Sequence, residues 1–196
     1  SPRSGVDMLI LRENSEGLYV GREHMESEGI AIAERQISRA ACEQFAARIV
    51  EVAEQRGAHR VTLAHKANVL PLTCGLFRDT CRQVLAVHGW EAQVDERLVD
   101  VAALQLVESP ESFDVLATTN LFGDILSDLA CHWSGGLGMA PSLNWGQGIA
   151  LAEPVHGSAP DIAGQGIANP IGQIWSGAMM LEHLGYKEAG DAMVEA

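Results

Sequence analysis

Two aspartates, Asp124 and Asp128, stand four residues apart in the segment GDILSD. On a helix this spacing places both carboxylates on one face, with their β carbons roughly 5–6 Å apart. Like charges at that separation repel unless a cation lies between them, and paired carboxylates with water suit Mg²⁺ or Mn²⁺. The alternative is a solvated helix face with acids in its first turn. Because the neighbouring residues are apolar and a buried strand is predicted just before them, we treat the pair as candidate metal ligands.

Lys66 stands at the end of another apolar run, in the segment HKAN. A lysine that is partly desolvated at a strand end can act as a general base. The alternative is a surface lysine in a loop, and the neighbouring His65 is equally well explained as a hydrogen-bonded structural histidine. Lys66 is therefore a candidate base.

The segment RENSEGLY follows a third apolar run and carries Arg12 and Tyr19. A guanidinium offers a two-pronged donor for a carboxylate, and a phenol can donate a proton. The alternative is a turn that is closed by an ion pair from Arg12 to Glu13 or Glu16. Both interpretations remain open from the residues alone.

A fourth segment, EPVHGSAPDIAGQGIANP at 153–170, has small residues that let a ligand approach the backbone closely. Asp161 can accept hydrogen bonds from a ribose diol, as acidic residues do in NAD sites. The spacing Gly164-x-Gly166 lacks the third glycine of a dinucleotide fingerprint and does not directly follow a strand, so we reject a Rossmann motif. The alternative is a long surface loop before a capped helix.

The composition limits the classes of function. The chain has 196 residues, 47% of them hydrophobic, which is enough for one or two domains with a buried core. Its formal charge of −13 would repel phosphate backbones and anionic lipids, so we expect no nucleic-acid and no membrane partner. No apolar stretch of about 18 residues occurs, and the first residues do not form a signal peptide. The four cysteines form no CxxC pair, which favours reduced thiols and a cytoplasmic location.

Alternating strands and helices must position these residues. Short apolar or alternating runs predict strands at 6–11, 59–67, 92–100, 114–119 and 149–154. Helical spacing predicts helices at 37–57, 72–89, 98–110, 123–133, 169–185 and 187–196. The polar stretch 12–29 is predicted to be a loop or an excursion, and the glycine-rich stretch 135–148 a loop. Ser38 is a candidate N-cap, Gly57 a candidate stop, and Asn169 with Pro170 an N-cap and first helical residue. This order predicts an α/β fold with helices covering a partly parallel sheet.

Five segments of the sequence carry a family resemblance; in chain order they are REN-SEG-LY, HKAN, LVD, GDILSD and EPVHGSAPDIAG with IANP. Together they resemble the isocitrate/isopropylmalate dehydrogenase family of β-decarboxylating dehydrogenases. The resemblance implies an isopropylmalate-dehydrogenase-like fold. Glycine becomes frequent near Ser134, and we place a domain boundary there, with 1–134 as the small domain and 135–196 as a later part of the large NAD-binding domain. The implied reaction is the oxidative decarboxylation of a β-carboxy 2-hydroxy acid, dependent on NAD and on Mg²⁺ or Mn²⁺.

The resemblance also implies a role for each candidate residue. Arg12 binds a substrate carboxylate, Tyr19 donates a proton, and Lys66 is the general base of a neighbouring subunit's site. The implied metal ligands are Asp124 and Asp128 of one subunit and Asp100 of its partner, which makes the protein a homodimer with shared active sites. The implied cofactor residues are Glu153, His156, Gly157, Ala159, Asp161 and Asn169. Residues 158–169 include no Lys or Arg, which favours NAD over NADP.

Within the family, NSEG at 14–17 and HKANVLPLTCGLF resemble the homoisocitrate and isocitrate branches, which suggests a role in amino-acid biosynthesis. The alternative substrates are 3-isopropylmalate, tartrate and malate. Family members are longer, so we expect that this chain lacks the N-terminal part of the small domain, together with upstream substrate-binding arginines, and is inactive alone. Two alternatives of another class are an inactive interaction fragment and a regulatory subunit, although regulatory chains tend to lose the acid–base and metal residues kept here.

Overall fold

The structure is a computed structural model that describes residues 4–196, so the first three residues of the predicted small domain lie outside the described residues. The chain divides into two compact units, Gly5–Leu129 (the first unit) and Ala130–Ala196 (the second unit). The division lies between Leu129 and Ala130, inside a helix that ends at Ser134. It is five residues before the domain boundary that composition placed at Ser134. The assignment of the two units to the family's small and large domains stays a prediction.

The elements alternate as the sequence predicted, with one added hairpin and one added strand. The strands are β1 (Leu9–Arg12), β2 (Glu23–Ser27), β3 (Ile30–Ala33), β4 (Val61–His65), β5 (Val94–Leu98), β6 (Val115–Thr118), β7 (Pro141–Trp145) and β8 (Ala150–Pro154). The helices are α1 (Arg39–Arg56), α2 (Thr73–Val87), α3 (Val99–Glu108), α4 (Asn120–Ser134), α5 (Ile171–His183) and α6 (Lys187–Glu195). Short 3-10 turns join several of them.

The first unit is built on a four-stranded sheet in the order β1-β6-β4-β5, and each neighbouring pair is parallel. The two central strands, β4 and β6, are buried along their whole length, as expected where helices cover a parallel sheet. The predicted α/β class with a parallel sheet is confirmed. Since all four strands run in one direction, their carboxyl ends meet at a single edge, which is where ligands bind in such sheets.

The apolar faces of α3 and α4 pack on this sheet. Leu106 of α3, Leu116 of β6 and Leu126 of α4 belong to one cluster and are fully buried. Truncating any one of them to alanine would cost about 2–5 kcal/mol of unfolding free energy. The strands whose carboxyl ends form this edge are therefore anchored in a buried apolar core.

The predicted ends of α1 are confirmed by the structure. The Ser38 side chain accepts a hydrogen bond from the backbone N–H of Ala41 at 3.2 Å, and Gly57 ends the helix in the left-handed region with φ 63°. A residue with a β carbon is strained in that region, so glycine is the natural stop.

Two stretches predicted to be loops contain strands. The segment 12–29 was predicted to be a polar loop or excursion, but it contains β2. This strand pairs antiparallel with β3, directly after the segment, in a hairpin whose residues are nearly all exposed. Because neither face is buried, the hairpin lacks the alternation by which a strand is recognised. The glycine-rich stretch 135–148 was also predicted to be a loop, yet Pro141–Trp145 form β7, because pairing with β8 outweighs the local turn signals.

The second unit consists of the antiparallel pair β7–β8 with α5 packed against it and α6 packed against α5. The predicted start of α5 is one residue early. Pro170 stands at the N-cap position, so Ile171 is the first helical residue, although Asn169 still accepts a hydrogen bond from the Ile171 N–H at 3.0 Å.

In the part of the chain that the structure describes, no helix is both long enough and apolar enough to cross a membrane. The four cysteines of the described residues, Cys42, Cys74, Cys81 and Cys131, are all buried and form no disulfide.

Candidate functional site

The candidate residues of the first unit follow the carboxyl ends of its four parallel strands. Arg12 is the last residue of β1, and Lys66 comes directly after β4. Asp100 lies in the first turn of α3, just past β5, and Asp124 lies in α4, which follows β6. Residues from four separate segments of the sequence are thus positioned by one edge of the sheet. Their contacts form two groups, one near β1 and β6 and the other near β4 and β5.

The Arg12 group (Arg12, Tyr19, Asn120 and Asp124) is joined by side-chain hydrogen bonds. Arg12 donates from Nε and Nη2 to Asn120 Oδ1 at 3.0 and 2.8 Å, and from Nη1 to Asp124 Oδ1 at 2.5 Å. Its guanidinium also lies over the Tyr19 ring, 5.1 Å from the ring centroid, as in a cation–π contact. The Arg12 side chain is still 30% exposed, so a cation held in one orientation remains accessible to a carboxylate.

Tyr19 offers a proton next to this cation. Its hydroxyl donates to Asp124 Oδ2 at 2.8 Å. That hydrogen bond, then burial and the negative charge of Asp124, raise the pKa of Tyr19 above its usual value, against a smaller lowering effect of Arg12. The phenol therefore keeps its proton throughout the neutral range, as a proton donor must. The side chain is 53% exposed, which leaves the hydroxyl within reach of a small molecule.

The alternative explanation of RENSEGLY, an ion pair from Arg12 to Glu13 or Glu16, is wrong. Glu13 is buried and accepts hydrogen bonds from the backbone N–H groups of Ser15 and Glu16 at 2.8 and 3.2 Å. Glu16 accepts from the N–H of Ser38 at 2.6 Å and so ties the turn to the start of α1. These two glutamates therefore stabilise the turn, and Arg12 donates its hydrogen bonds to Asn120 and Asp124 instead.

The Lys66 group (Lys66 and Asp100) is an ion pair at the other half of the edge. Lys66 Nζ donates to Asp100 Oδ1 at 2.5 Å. This hydrogen bond is the main cause that lowers the pKa of Asp100, so its carboxylate is ionised at neutral pH. The Asp100 side chain is 60% exposed and that of Lys66 25%. The exposed carboxylate therefore fixes the position of the Lys66 Nζ at the sheet edge.

His65 shapes the turn that carries Lys66, and its interpretation as a structural histidine is confirmed. It is buried, its Nδ1 accepts from the backbone N–H of Ala67 at 3.1 Å, and its Nε2 lies 3.2 Å from Glu96 Oε2. A neutral ring that accepts at Nδ1 carries its proton on Nε2, which then donates to Glu96. The backbone N–H of Lys66 itself contacts the Cys74 sulfur at 3.3 Å.

The two candidate metal ligands on α4 lie one turn apart, as their spacing predicts. Asp124 is half-buried and engaged by Arg12 and Tyr19, whereas Asp128 is exposed. Both offer the hard oxygen donors that Mg²⁺ and Mn²⁺ prefer, so the donor set fits such an ion. Among residues 4–196, no three His, Cys, Asp or Glu side chains form a group that could hold a metal ion. Asp100 is therefore not combined with Asp124 and Asp128 within one chain.

The cofactor candidates lie in the second unit, from the end of β8 onward. Glu153 accepts a hydrogen bond from Asn144 Nδ2 at 3.0 Å across the β7–β8 pair. His156 Nδ1 lies 2.8 Å from the carbonyl oxygen of the next residue, Gly157. From Gly157 to Asp161 every residue is exposed, so the backbone there is accessible to a ligand.

A strained residue introduces the turn that carries Asp161. Ala159 has φ 43° and is the one non-glycine residue with positive φ among the residues described. It precedes the 3-10 turn Pro160–Ile162, whose Asp161 carbonyl accepts from Gln165 Nε2 at 2.9 Å. Asn169, at the far end of the loop, donates to the Met139 sulfur at 3.3 Å. The six cofactor candidates thus lie between β8 and the start of α5. Glu153 and Asn169 are held by partners outside the set, whereas His156 contacts Gly157 within it.

Sequence reasoning overlooked Asn120 and Gly123, which both touch Arg12. A β carbon at Gly123 would lie 2.6 Å from Arg12 Cγ, so the stem of the arginine runs directly against the backbone of α4. The available signals were an asparagine at the end of a buried strand and a glycine inside a helix, where glycine is disfavoured.

Comparisons with known proteins cover the whole chain. Residues 1–196 match the isocitrate/isopropylmalate dehydrogenase family. The isocitrate/homoisocitrate dehydrogenase of Thermus thermophilus is 54% identical over 99% of this chain and 58% of its own length. The 3-isopropylmalate dehydrogenase of Archaeoglobus fulgidus is 48% identical over 98% of this chain and 58% of its own length. A crystal structure of isocitrate dehydrogenase from Methylococcus capsulatus matches with a TM-score of 0.90 and 46% identity, over 95% of this chain and 56% of that one. The chain thus spans a little over half the length of these proteins.

Proposed function

This chain belongs to the isocitrate/isopropylmalate dehydrogenase family, and from that premise we propose the activity of the complete protein. It oxidises and decarboxylates a β-carboxy 2-hydroxy acid, with NAD as the hydride acceptor and Mg²⁺ or Mn²⁺ as the bound metal. The observation that carries the proposal is the placement of two acid–base groups at one sheet edge. One is the phenol of Tyr19 beside the fixed cation Arg12, and the other is the Lys66–Asp100 pair.

Each side chain has chemistry that suits one step of this reaction. Arg12 binds a substrate carboxylate through its exposed edge, and Lys66 accepts the proton of the substrate hydroxyl as hydride leaves the same carbon. Before it can accept that proton, the amine must release one of its own, since in the structure it donates to the Asp100 carboxylate. After carbon dioxide is lost, Tyr19 delivers a proton to the carbon that carried the carboxylate.

The metal would be held by carboxylates of α4. Asp124 and Asp128 are the ligands we propose, and the Asp100 of a second subunit is the third, since the described chain holds no complete set. When bound, the cation supplies Lewis-acid stabilisation of the negative charge that develops on the substrate's oxygens. Asp128 is exposed on the next turn of α4 and is therefore available for this role.

The residues of the second unit support NAD rather than NADP. We propose that the exposed carboxylate of Asp161 accepts the ribose hydroxyls of the cofactor, with His156 and Asn169 on the same loop and Glu153 in β8 just before it. A 2′-phosphate would place about two negative charges beside that carboxylate. Residues 158–169 offer no Lys or Arg to offset the repulsion.

Two observations favour homoisocitrate or isocitrate as the substrate. The NSEG sequence after Arg12-Glu13 resembles those branches, and the Thermus thermophilus relative named for both acids is 54% identical. The alternative substrate is 3-isopropylmalate, the acid in the name of a relative that is 48% identical. The buried free cysteines support a cytoplasmic location for the reaction.

We further propose that the protein acts as a homodimer. Val101, Leu104 and Val107 recur at three-residue spacing along α3 and are 40%, 56% and 53% exposed. Such spacing places them on one helix face, and an exposed apolar strip of this kind marks an interface. The exposed β2–β3 hairpin is the second contact, since a two-stranded hairpin is marginally stable without further packing.

The test of the activity uses the full-length protein. NAD reduction and carbon dioxide release are measured with homoisocitrate, isocitrate, 3-isopropylmalate, tartrate and malate, each with Mg²⁺, with Mn²⁺ and with EDTA. We expect the highest kcat/KM with homoisocitrate or isocitrate, and complete loss of turnover in EDTA with recovery on adding Mn²⁺. Absence of NAD reduction with every acid, or full activity without metal, would contradict the proposal.

The shared site is tested by mixing inactive full-length variants. A heterodimer of Lys66→Ala and Tyr19→Phe chains contains one intact site, so random exchange should restore about a quarter of wild-type activity. The matched control mixes Tyr19→Phe with Asp124→Asn, two changes in the same group, which leaves no intact site and should restore nothing. No recovery in the first mixture, after exchange is verified by mass, would show that each site comes from one chain. Equal recovery in both mixtures would show that the activity does not come from a site assembled across the dimer.

A further inference from the structure

Asn120 is the most buried member of the Arg12 group, and the reaction proposed above gives it no role. It is the first residue of α4 and is 1% exposed. Its Oδ1 accepts both hydrogen bonds from Arg12, and its Nδ2 donates to the carbonyl oxygen of Glu16 at 2.9 Å. Because a guanidinium only donates, the amide oxygen must face Arg12, and the Glu16 carbonyl holds the amide in that orientation.

The two bonds to Asn120 use one particular edge of the guanidinium. Arginine has a side edge, formed by Nε and Nη2, and an end edge, formed by Nη1 and Nη2, and either can hold a carboxylate. Asn120 occupies the side edge with a single neutral oxygen. The end edge of Arg12 is therefore the edge that holds anions. Its Nη1 already forms an ion pair with Asp124 Oδ1 at 2.5 Å, so a substrate carboxylate must bind beside Asp124 or take its place.

Two further contacts limit the movement of Arg12. Its stem lies so close to Gly123 that a β carbon there would approach Cγ to 2.6 Å, and its guanidinium lies over the ring of Tyr19. With the Asn120 amide on the side edge, the cation is fixed from three directions before any ligand arrives. A carboxylate that binds to it loses little free energy in ordering the arginine.

We infer that Asn120 is a positioning residue that orients Arg12 without neutralising it. The inference rests on the proposed function, in which Arg12 binds a substrate carboxylate. An aspartate at position 120 could accept the same two hydrogen bonds, but its charge would pair with the guanidinium and compete with the substrate. The uncharged amide supplies the orientation and adds no second negative charge beside that of Asp124.

The experiment compares Asn120→Asp with wild type in the full-length protein. We expect KM for the hydroxy acid to rise by about 10- to 100-fold, because a charge-assisted contact is weakened, while KM for NAD stays within about twofold. The matched control is Gln105→Glu, which adds a charge next to a different arginine, since Gln105 Oε1 accepts from Arg97 Nε at 3.0 Å. The control should leave both KM values unchanged. An unchanged hydroxy-acid KM in Asn120→Asp would overturn the inference.

A double-mutant cycle separates positioning from a general structural effect. In an Arg12→Met background, Asn120→Asp should change the hydroxy-acid KM by less than about twofold, because the residue through which it acts is gone. An effect as large as in the wild-type background would overturn the inference. If Asn120→Asp does not fold, Asn120→Leu serves instead, since it removes the acceptor without adding a charge and should also raise KM in the presence of Arg12 only.

A readout that does not depend on turnover keeps this inference apart from the proposed function. In ¹⁵N spectra, the Arg12 Nε–H, identified by its loss in Arg12→Lys, should exchange slowly with solvent in wild type. It should exchange much faster in Asn120→Leu, whose other arginine signals serve as internal controls. If wild type turns over none of the acids, the proposed function fails. Fast exchange of the Arg12 Nε–H in wild type would instead show that Asn120 does not hold the arginine.

Discussion

The side chains proposed for acid–base chemistry are held differently from those proposed for cofactor binding. In the first unit, hydrogen bonds join residues far apart in the chain, such as Arg12 to Asn120 across 108 positions and Lys66 to Asp100 across 34. In the loop of the second unit that carries Asp161, the Asp161 carbonyl is bound by a side chain four positions away, and the longer contact, from Asn169 to Met139 across 30 positions, is to a thioether sulfur, a weak acceptor. The Arg12 group includes a fully buried amide, whereas residues 157–161 are all exposed.

This difference indicates where the structure is ready for a ligand and where the ligand must complete it. Charge that develops in a reaction is stabilised best by dipoles and cations already in place, because no free energy is then spent on turning them. The long-range bonds of the Arg12 group provide that. A loop held by local contacts can adapt to a large cofactor, and binding then supplies the order. Changes in the Arg12 and Lys66 groups should therefore affect kcat or KM for the hydroxy acid, and changes in the loop should affect cofactor affinity.

The strongest test of this contrast is removal of the two proton-transferring side chains. In the full-length protein, Lys66→Met and Tyr19→Phe should each lower kcat by about 10²- to 10⁴-fold, since general acid–base catalysis contributes that much. KM for NAD should stay nearly constant. The matched control is Lys187→Met, because Lys187 pairs with Asp191 on exposed α6 and should leave kcat unchanged. A loss of less than tenfold in both variants would remove Lys66 and Tyr19 from the proton transfers.

A smaller effect is expected at Gly123. The Gly123→Ala variant would place a β carbon 2.6 Å from Arg12 Cγ, so the arginine stem must shift and its hydrogen bonds to Asn120 must lengthen. We expect kcat/KM for the hydroxy acid to fall by about 10- to 100-fold, as misplaced binding groups typically cost.

The control for this change is another helical glycine. A β carbon at Gly75 in α2 would meet no atom within 4 Å, and Gly75→Ala should preserve kcat/KM while raising helix stability by about 0.5–1 kcal/mol. Wild-type kcat/KM in Gly123→Ala would show that the position of the Arg12 stem is unimportant.

Sequence patterns predicted the first unit well because its signals are local. Buried parallel strands such as β4 and β6 read as short apolar runs, and α1 carries its cap and its stop within the sequence. The β2–β3 hairpin was missed because its strands are exposed on both faces, so its sequence need not alternate between apolar and polar residues. The β7 strand was missed because it is stabilised by pairing with β8, whereas the local glycine-rich composition is typical of a loop.

The candidate site was predictable only at residues whose side-chain type alone indicates a chemical role. Charged and phenolic residues after strands, such as Arg12, Tyr19 and Lys66, drew attention by type and position. Asn120 did not, since its importance depends on which edge of Arg12 it meets, and that is set by the pairing of β1 with β6. Neither could spacing show that Lys66 pairs with Asp100, because their closeness results from the register of β4 with β5.

Cofactor choice tests the other side of the contrast. The full-length variant Asp161→Lys with Ile162→Tyr replaces an anion by a cation at the proposed ribose site. It should shift the ratio of kcat/KM for NADP to that for NAD by roughly tenfold or more, chiefly through KM for the cofactor. The kcat with saturating cofactor should remain near that of wild type. Equal use of NAD and NADP by wild type, or an unmoved ratio in the variant, would show that Asp161 does not select the cofactor.

The smallest effect is expected at Asp114, which lies in the first unit but at the amino end of β6, away from the edge that carries Arg12. Its carboxylate accepts from the His59 N–H at 2.6 Å and from Arg56 Nε at 3.0 Å. Burial raises the pKa of Asp114, but these hydrogen bonds and the Arg56 charge outweigh burial, so the pKa is lowered overall. The ionised form is thus favoured by folding, and this stabilisation is present above the unfolded-state pKa and lost as pH falls through the lower folded-state pKa.

Asp114→Asn should therefore lower the free energy of unfolding by about 1–2 kcal/mol at neutral pH, with the deficit shrinking in acid, while kcat and both KM values stay constant. Urea unfolding of the full-length protein between neutral and acid pH measures this. The control is Asp79→Asn, whose carboxylate pairs with Arg78 but is 64% exposed, so it should cost less than about 0.5 kcal/mol. A fall in kcat in Asp114→Asn would mean that the losses at Lys66, Tyr19 and Gly123 reflect general weakening of the first unit rather than chemistry at its edge. A stability deficit that does not shrink with acid would mean that the ionised carboxylate contributes nothing to folding.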